Sequence, residues 1–175
     1  MRVYIPATLA TVAQLVAEGS LVALSGTAFA VTPALRESYA HGDDDELAEV
    51  ALGEAALASL RLLGAAEDGP AGAALPTRRA VLVADIADGA DGPSVVFRPD
   101  LDAAVVRLAG PVAIADVVAA YVDNAAAEPA VRAAVGAIDD ADLGDEDAEL
   151  IVGDAQDHDL AWYATQELPF LLDLL

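Results

Sequence analysis

The segment from Arg79 to Ile86 constrains the fold more than any other part of the chain. Its centre, Ala80-Val81-Leu82-Val83-Ala84, is apolar at every position. A strand with one face in water alternates apolar and polar residues, whereas a continuous apolar run fits a strand that is covered on both faces. The run therefore predicts the central strand of a sheet that has helices packed on it.

Spacing, capping and turn residues predict the other elements. Further strands are expected at residues 3–5, 27–31, 103–108 and 117–122, and residues 95–97 are a candidate for the returning arm of a hairpin. Helices are expected after Thr11, Thr32-Pro33, Asp43, Pro129 and Asp157, the last of them carrying Trp162 and broken at Pro169. This order predicts a single α/β or α+β domain over residues 1–175, with a mixed sheet of about four to five strands and helices packed on it.

Two segments are predicted to be loops. Residues 65–78 are rich in Gly, Ala and Pro, which predicts a flexible loop inside the domain. Residues 139–156 are predicted to form a mobile acidic loop, because the stretch from Asp139 to Asp159 holds ten carboxylates and no arginine or lysine.

The charge of the chain excludes one kind of partner. Thirty acidic residues stand against eight arginines, there is no lysine, and the formal net charge is -22. Such a field repels phosphate, so nucleic-acid binding by direct phosphate neutralisation is not expected. Three explanations of the charge stay open: a coding bias with a solvated surface, adaptation to high salt, and an acidic decoy or docking surface for a basic partner.

Missing residue types narrow the chemistry. The chain has no cysteine, which excludes disulfides, thiolate metal sites and cysteine nucleophiles. It also lacks the Walker A, Gly-x-Gly-x-x-Gly and Gly-x-Ser-x-Gly patterns, so no cofactor is predicted.

The most apolar long stretch of the sequence, residues 103–122, is interrupted by Arg107, Pro111 and Asp116, and the N-terminus lacks the apolar region of a signal peptide. A cytoplasmic protein without membrane contact is expected.

Two acidic groups are weak candidates for binding a divalent cation. Asp85, Asp88 and Asp91 follow the central strand and could gather oxygen ligands, although the same spacing is typical of turns. The second group is Asp157-His158-Asp159, which shares a His-Asp pair with metal phosphohydrolases but also fits a solvated helix cap. No catalytic residue is predicted.

Aromatic residues near the C-terminus are the candidates for partner contact. The segment Trp162-Tyr163-Ala-Thr-Gln166-Glu167 combines amphipathic aromatic residues with polar ones, a pattern typical of either a core or an interface. An interface there would extend to Arg36, Tyr39 or Tyr121. The apolar tail that begins at Phe170 predicts, if it is left uncovered, an exposed patch or a homodimer contact.

Three segments also resemble a known family. They are the opening Met1-Arg-Val-Tyr-Ile-Pro-Ala-Thr, the stretch Thr27-Ala-Phe-Ala-Val-Thr-Pro-Ala-Leu-Arg-Glu37, and Trp162-Tyr-Ala-Thr-Gln-Glu167. Together they resemble a family of small actinobacterial conserved hypothetical proteins. The resemblance implies a cytoplasmic protein from a high-GC organism, which agrees with a coding bias in the charge. That family has no assigned activity, so the resemblance carries over no functional residue.

The sequence therefore favours a non-catalytic interaction or regulatory module whose partner is an unknown protein or a second copy of the chain. Two alternatives stay open. One is a hydrolase that uses carboxylates, with or without a divalent cation, and the other is an acidic decoy or docking protein for a basic partner.

Overall fold

A seven-stranded antiparallel sheet is the centre of the computed structural model, which describes residues 1–65, 75–87 and 94–175. The strands of these residues are β1 (Arg2–Ala7), β2 (Ser20–Leu21), β3 (Thr27–Phe29), β4 (Ala80–Asp85), β5 (Ser94–Phe97), β6 (Val105–Ala109), β7 (Val112–Ala113), β8 (Val117–Val122) and β9 (Ala161–Ala164). Their α-helices are α1 (Leu9–Glu18), α2 (Pro33–Ser38), α3 (Asp44–Ala65), α4 (Glu128–Asp142), α5 (Glu146–Gln156) and α6 (Leu168–Asp173).

β4 lies inside the large sheet, whose strand order is β5-β6-β3-β1-β4-β8-β9. Leu82 of β4 is opposite Ile5 on one side and opposite Ala120 on the other. All residues of β4 except Asp85 are buried. The prediction of a central strand covered on both faces is confirmed.

The fold is α+β, and the expected mixed sheet of four to five strands is wrong in both number and direction. Every neighbouring pair of strands is antiparallel. The outermost strands, β5 and β9, have only four residues each and no fully buried residue, so no strong apolar pattern marks them. A helix between two strands does not fix their relative direction, because the flanking loops decide at which end the next strand begins.

Helices cover both faces of the sheet. On one face, Val12 of α1 and Leu168 of α6 join a core with Val3 and Leu82. On the other face, α3 packs through small residues such as Ala51 over strand residues that include Tyr4, Val81 and Val83. The helices α4 and α5 pack on the end of α3 around Leu60. Within the described residues, no helix has the length and apolar character needed to cross a membrane.

The helix starts test the capping predictions. Thr32 caps α2. Asp43 directly precedes α3, and its carboxylate accepts a hydrogen bond from the Glu46 amide at 2.9 Å. Both predicted helix starts are therefore confirmed. The predicted start of α1 at Thr11 is wrong. Its cap is Thr8, whose hydroxyl accepts from the Thr11 amide at 3.3 Å, and Thr11 is the third helical residue.

The acidic loop expected at residues 139–156 is wrong, because α4 continues to Asp142 and α5 fills most of the remainder. Ala137, Ile138, Val152 and Ala155 are buried at helical spacing, while the carboxylates lie outside. Asp145 caps α5, and acidic residues in its first turn suit the positive end of the helix dipole. Of the flexible loop expected at 65–78, residues 66–74 lie outside the described residues.

The helix expected from Asp157 is also wrong. Residues Ala161–Ala164 form β9 at the sheet edge, and a short helix begins only at Leu168. Pro169 lies in the first turn of that helix and therefore helps to start it rather than breaking it. Trp162 and Tyr163 consequently point to opposite faces of a sheet instead of sharing a helix.

Glu54 is a partly buried carboxyl on α3. Burial raises the pKa of Glu54, the charge of Asp102 adds to the rise, and Arg61 opposes it. A carboxyl whose pKa is higher in the folded chain favours the unfolded chain once it ionises. Its effect on stability is therefore absent below the ordinary glutamate pKa and grows as the pH rises through the higher, folded-state value.

We expect Glu54→Gln to raise the urea midpoint of unfolding at about pH 7 and to leave it nearly unchanged at about pH 3, where the carboxyl is protonated in both states. Glu49→Gln, an exposed residue of the same helix, is the control for removing one negative charge. Equal shifts of the two variants at neutral pH would contradict a specific burial effect at Glu54.

Candidate functional site

A small concavity of about 220 Å³ lies on the α3 side of the sheet. We call it the aromatic groove. Residues from four adjacent strands line it: Arg2 and Tyr4 from β1, Val83 from β4, Val118, Ala119 and Tyr121 from β8, and Trp162 from β9.

The register of the strands brings these side chains to one face. Trp162 is opposite Tyr121, and Tyr4 is opposite Val83. The pairing of β4 with β8 shifts between Val83 and Ala84, which leaves Val118 as an extra residue in β8. Such a bulge bends a strand and redirects its side chains. Val118 is 38% exposed and lines the groove.

The aromatic side chains form a gradient of exposure from the sheet centre to its edge. Tyr4 is buried, Tyr121 is half-buried, and the Trp162 side chain on the edge strand is 57% exposed. Tryptophan and tyrosine present a large apolar surface together with a polar group, and they are enriched where proteins bind one another. The groove thus ends in an indole with a free surface.

An ion pair lies at the polar end of the groove. Arg2 Nε and Nη2 donate to the two carboxylate oxygens of Asp85 at 2.9 and 3.1 Å. The hydrogen bond from Arg2 lowers the pKa of Asp85, and the same contact raises that of Arg2. Burial raises the pKa of the Tyr4 hydroxyl. The paired guanidinium lines the groove together with Tyr4 and Tyr121.

A second concavity of about 500 Å³ shares Arg2 and Tyr4 with the aromatic groove. It lies at the start of α3, and Arg36, Asp44 and Phe97 are among its lining residues. Arg36 Nε is 3.3 Å from an Asp44 oxygen in an exposed pair. The combined surface is amphipathic, with aromatic walls and charges of both signs.

The residues proposed for partner contact are divided between different surfaces. Trp162 and Tyr121 share the aromatic groove, and Arg36 lines the adjoining one. Tyr163 packs against the core of the opposite face, and Tyr39 lies exposed at the end of α2.

Three further candidates follow β9. Gln166 lines a shallow concavity with Thr165 and Pro169. Glu167 accepts a hydrogen bond from the Ala164 amide at 2.8 Å, and the Phe170 side chain on α6 is 71% exposed.

The acidic candidates for cation binding are not gathered by the residues that the structure describes. Asp85 is paired with Arg2, while Asp88 and Asp91 lie outside the described ranges. Asp157 and Asp159 are exposed. In residues 1–65, 75–87 and 94–175, no group of three or more His, Asp or Glu side chains is close enough to hold a metal ion.

A buried ion pair that is absent from the predictions above fixes the start of the edge strand. Arg79 and Asp123 have side chains that are 1% and 0% exposed, and Arg79 donates to both Asp123 oxygens at 2.9 and 2.7 Å. Arg79 also donates to the Gln156 amide oxygen and to the His158 carbonyl, both at 2.8 Å. The connection from α5 to β9 is thereby tied to β4 and β8, which positions Trp162.

Comparison with known proteins gives one match. The model of a family described as "Family of unknown function (DUF6912)" matches residues 1–172. No curated protein and no solved structure matches the chain.

Proposed function

Since the chain belongs to the DUF6912 family, whose function is unknown, we propose a role from the surface of the molecule itself. The protein is a non-catalytic interaction module, and the aromatic groove holds a side chain of a protein partner against Trp162. The observation that carries this proposal is the exposed indole at the mouth of a groove whose other walls are Tyr121, Tyr4 and Arg2.

The residue types of the groove support a protein partner. Trp, Tyr and Arg are enriched among the residues that carry most of the binding energy of protein interfaces, and they lie in the desolvated centre. The indole and the Tyr121 ring lie on neighbouring strands of the sheet, and such side chains lose little conformational entropy on binding because each has only two side-chain torsions. A partner side chain that entered the groove would bury the free face of Trp162.

The chemistry at Asp85 weighs against the hydrolase alternative at this groove. A general base works best when its pKa is near the operating pH. The contact with Arg2 instead lowers the pKa of Asp85, so the carboxylate is a weak proton acceptor at neutral pH. The pair is suited to orienting a partner by charge and hydrogen bonding.

Selection from a displayed random-peptide library tests the proposal, because it presupposes neither the charge nor the sequence of the partner. Trp162 is the only tryptophan of the chain, so its emission reports directly on the groove. We expect selected peptides to shift this emission in wild type and to bind the Trp162→Ala variant at least about tenfold more weakly, the size typical of an interface anchor. Affinities for both proteins come from a labelled peptide.

Phe170→Ala is the matched control, because it removes an aromatic side chain of comparable exposure that lies on α6. Equal losses for the two variants, or peptides that leave the Trp162 emission unchanged, would refute binding at the groove. Sedimentation velocity at the same protein concentrations tests whether a second copy of the chain occupies the groove instead. A dimer that dissociates on Trp162→Ala would show that a second copy fills the groove.

A further inference from the structure

We propose that the partner segment is basic and extended, and that it adds to the outer edge of β9 as a further strand beside the aromatic groove. This inference rests on the function proposed above and names the class of segment that the groove receives. It is carried by the hydrogen-bonding direction of β9, by the charges around it and by the position of Glu167.

β9 is the last strand of the sheet within the described residues, and its hydrogen bonds show which groups face outward. The Ala164 amide donates to the Glu167 carboxylate at 2.8 Å, so it does not point toward β8. Groups two residues apart on a strand point to the same side. The amide and carbonyl of Trp162 therefore face the outer edge, where an incoming strand can bind them.

Charge distinguishes a basic segment from a second copy of the chain. Exposed carboxylates lie before β9 at Asp157 and Asp159 and after it at Glu167 and Asp173. No arginine or lysine follows Arg132 in the sequence. Because a second copy would bring the same carboxylates to this edge, like charges oppose pairing with it. The same carboxylates attract a segment of opposite charge, because complementary potentials favour encounter and fix the register.

The Glu167 carboxylate lies at the outer edge of β9 and is one of the negative charges around that strand. It occupies the Ala164 amide, which is the third outward group that an added strand would use. A lysine or arginine of the partner can bind this carboxylate and draw it from the amide, which then becomes available to the partner backbone. Strand addition supplies affinity through main-chain hydrogen bonds and specificity through alternate side chains. An apolar residue of the segment would then lie against Trp162.

The test uses a capped peptide of alternating lysine and valine, about six residues long to match an ordinary strand. Glutamate replaces lysine in a second peptide, and a third carries N-methyl groups on alternate residues of the lysine peptide, which removes main-chain donors. We expect the lysine peptide alone to give a saturable change in Trp162 emission. Its affinity should fall by about tenfold or more between low and high salt, because the charges are exposed.

One variant tests the charge of Glu167, and a second variant is its control. Glu167→Gln keeps an oxygen acceptor for the Ala164 amide and removes the charge, so we expect about two- to fivefold weaker binding of the lysine peptide. Glu146→Gln, an exposed residue in the first turn of α5, should leave the affinity unchanged.

Equal binding of the lysine and glutamate peptides would overturn the basic character of the segment, and equal binding of the N-methylated peptide would overturn strand addition. If none of the three peptides binds while library peptides still act through Trp162, this inference fails and the proposed function stands. If library peptides also fail to act through Trp162, the proposed function fails as well.

Discussion

Replacement of Asp123 by alanine is expected to lower the free energy of unfolding by about 3–5 kcal/mol, the cost of leaving one member of a buried ion pair without its partner. Asp123 accepts three hydrogen bonds from Arg79, one from its amide and two from its guanidinium, at 2.7 to 2.9 Å. In the variant, the Arg79 charge stays in a site with 1% exposure of its side chain. Its bonds to Gln156 and the His158 carbonyl offset only part of that loss.

Urea unfolding followed by far-UV circular dichroism measures this effect. Asp142→Ala is the matched control, because it breaks a bidentate arginine–aspartate pair at 2.9 and 3.0 Å whose two side chains are 45% and 43% exposed. We expect a loss below about 1 kcal/mol there, since exposed pairs contribute little. A loss for Asp123→Ala no larger than that for Asp142→Ala would contradict a structural role for the buried pair.

The central part of the fold could be predicted from local patterns. The run at Val81 to Val83 has no polar residue, which fits a strand covered on both faces. Thr32-Pro33 and Asp43 were equally informative, because a cap acts on amides within three residues. In residues 139–156 the run of carboxylates predicts a loop, but Ile138, Val152 and Ala155 have helical spacing, and two helices bury them.

The aromatic groove could be predicted only in part. The sequence predicts partner contact for Trp162 from its residue type and includes Tyr121 as a neighbour, but it does not predict Arg2 or Tyr4. These two residues reach Trp162 only through the strand order β1-β4-β8-β9, which joins segments far apart in the chain. Long-range pairing of this kind leaves no periodic signal in a single sequence.

The buried pair leaves a local signal in the sequence. Arg79 directly precedes the apolar run of β4, and Asp123 directly follows β8, so opposite charges flank two strongly apolar strands. Antiparallel pairing of Ala80 with Val122 brings the two charged residues together. A charge at the end of a fully buried strand is costly without a partner. Opposite charges in such positions therefore predict that the two strands are neighbours.

Gly26→Ala is expected to be the second strongly destabilising substitution, with a loss of about 2–4 kcal/mol from left-handed backbone strain and steric overlap together. Gly26 has φ +67°, and a Cβ atom there would overlap the carbonyl oxygen of Leu108 on β6. The backbone cannot withdraw easily, because β3 begins at the next residue and Thr27 is in register with Arg107. The close approach of the turn to β6 thus requires a glycine.

Gly19→Ala separates the two contributions. Gly19 also has a positive φ, +77°, but a Cβ atom there would meet no atom within 4 Å. Its substitution should cost about 1–2 kcal/mol, from backbone strain alone. The difference between the two urea midpoints then measures the overlap with Leu108. Equal losses would mean that β6 moves away without cost, and the contact between this turn and β6 would not constrain the sequence.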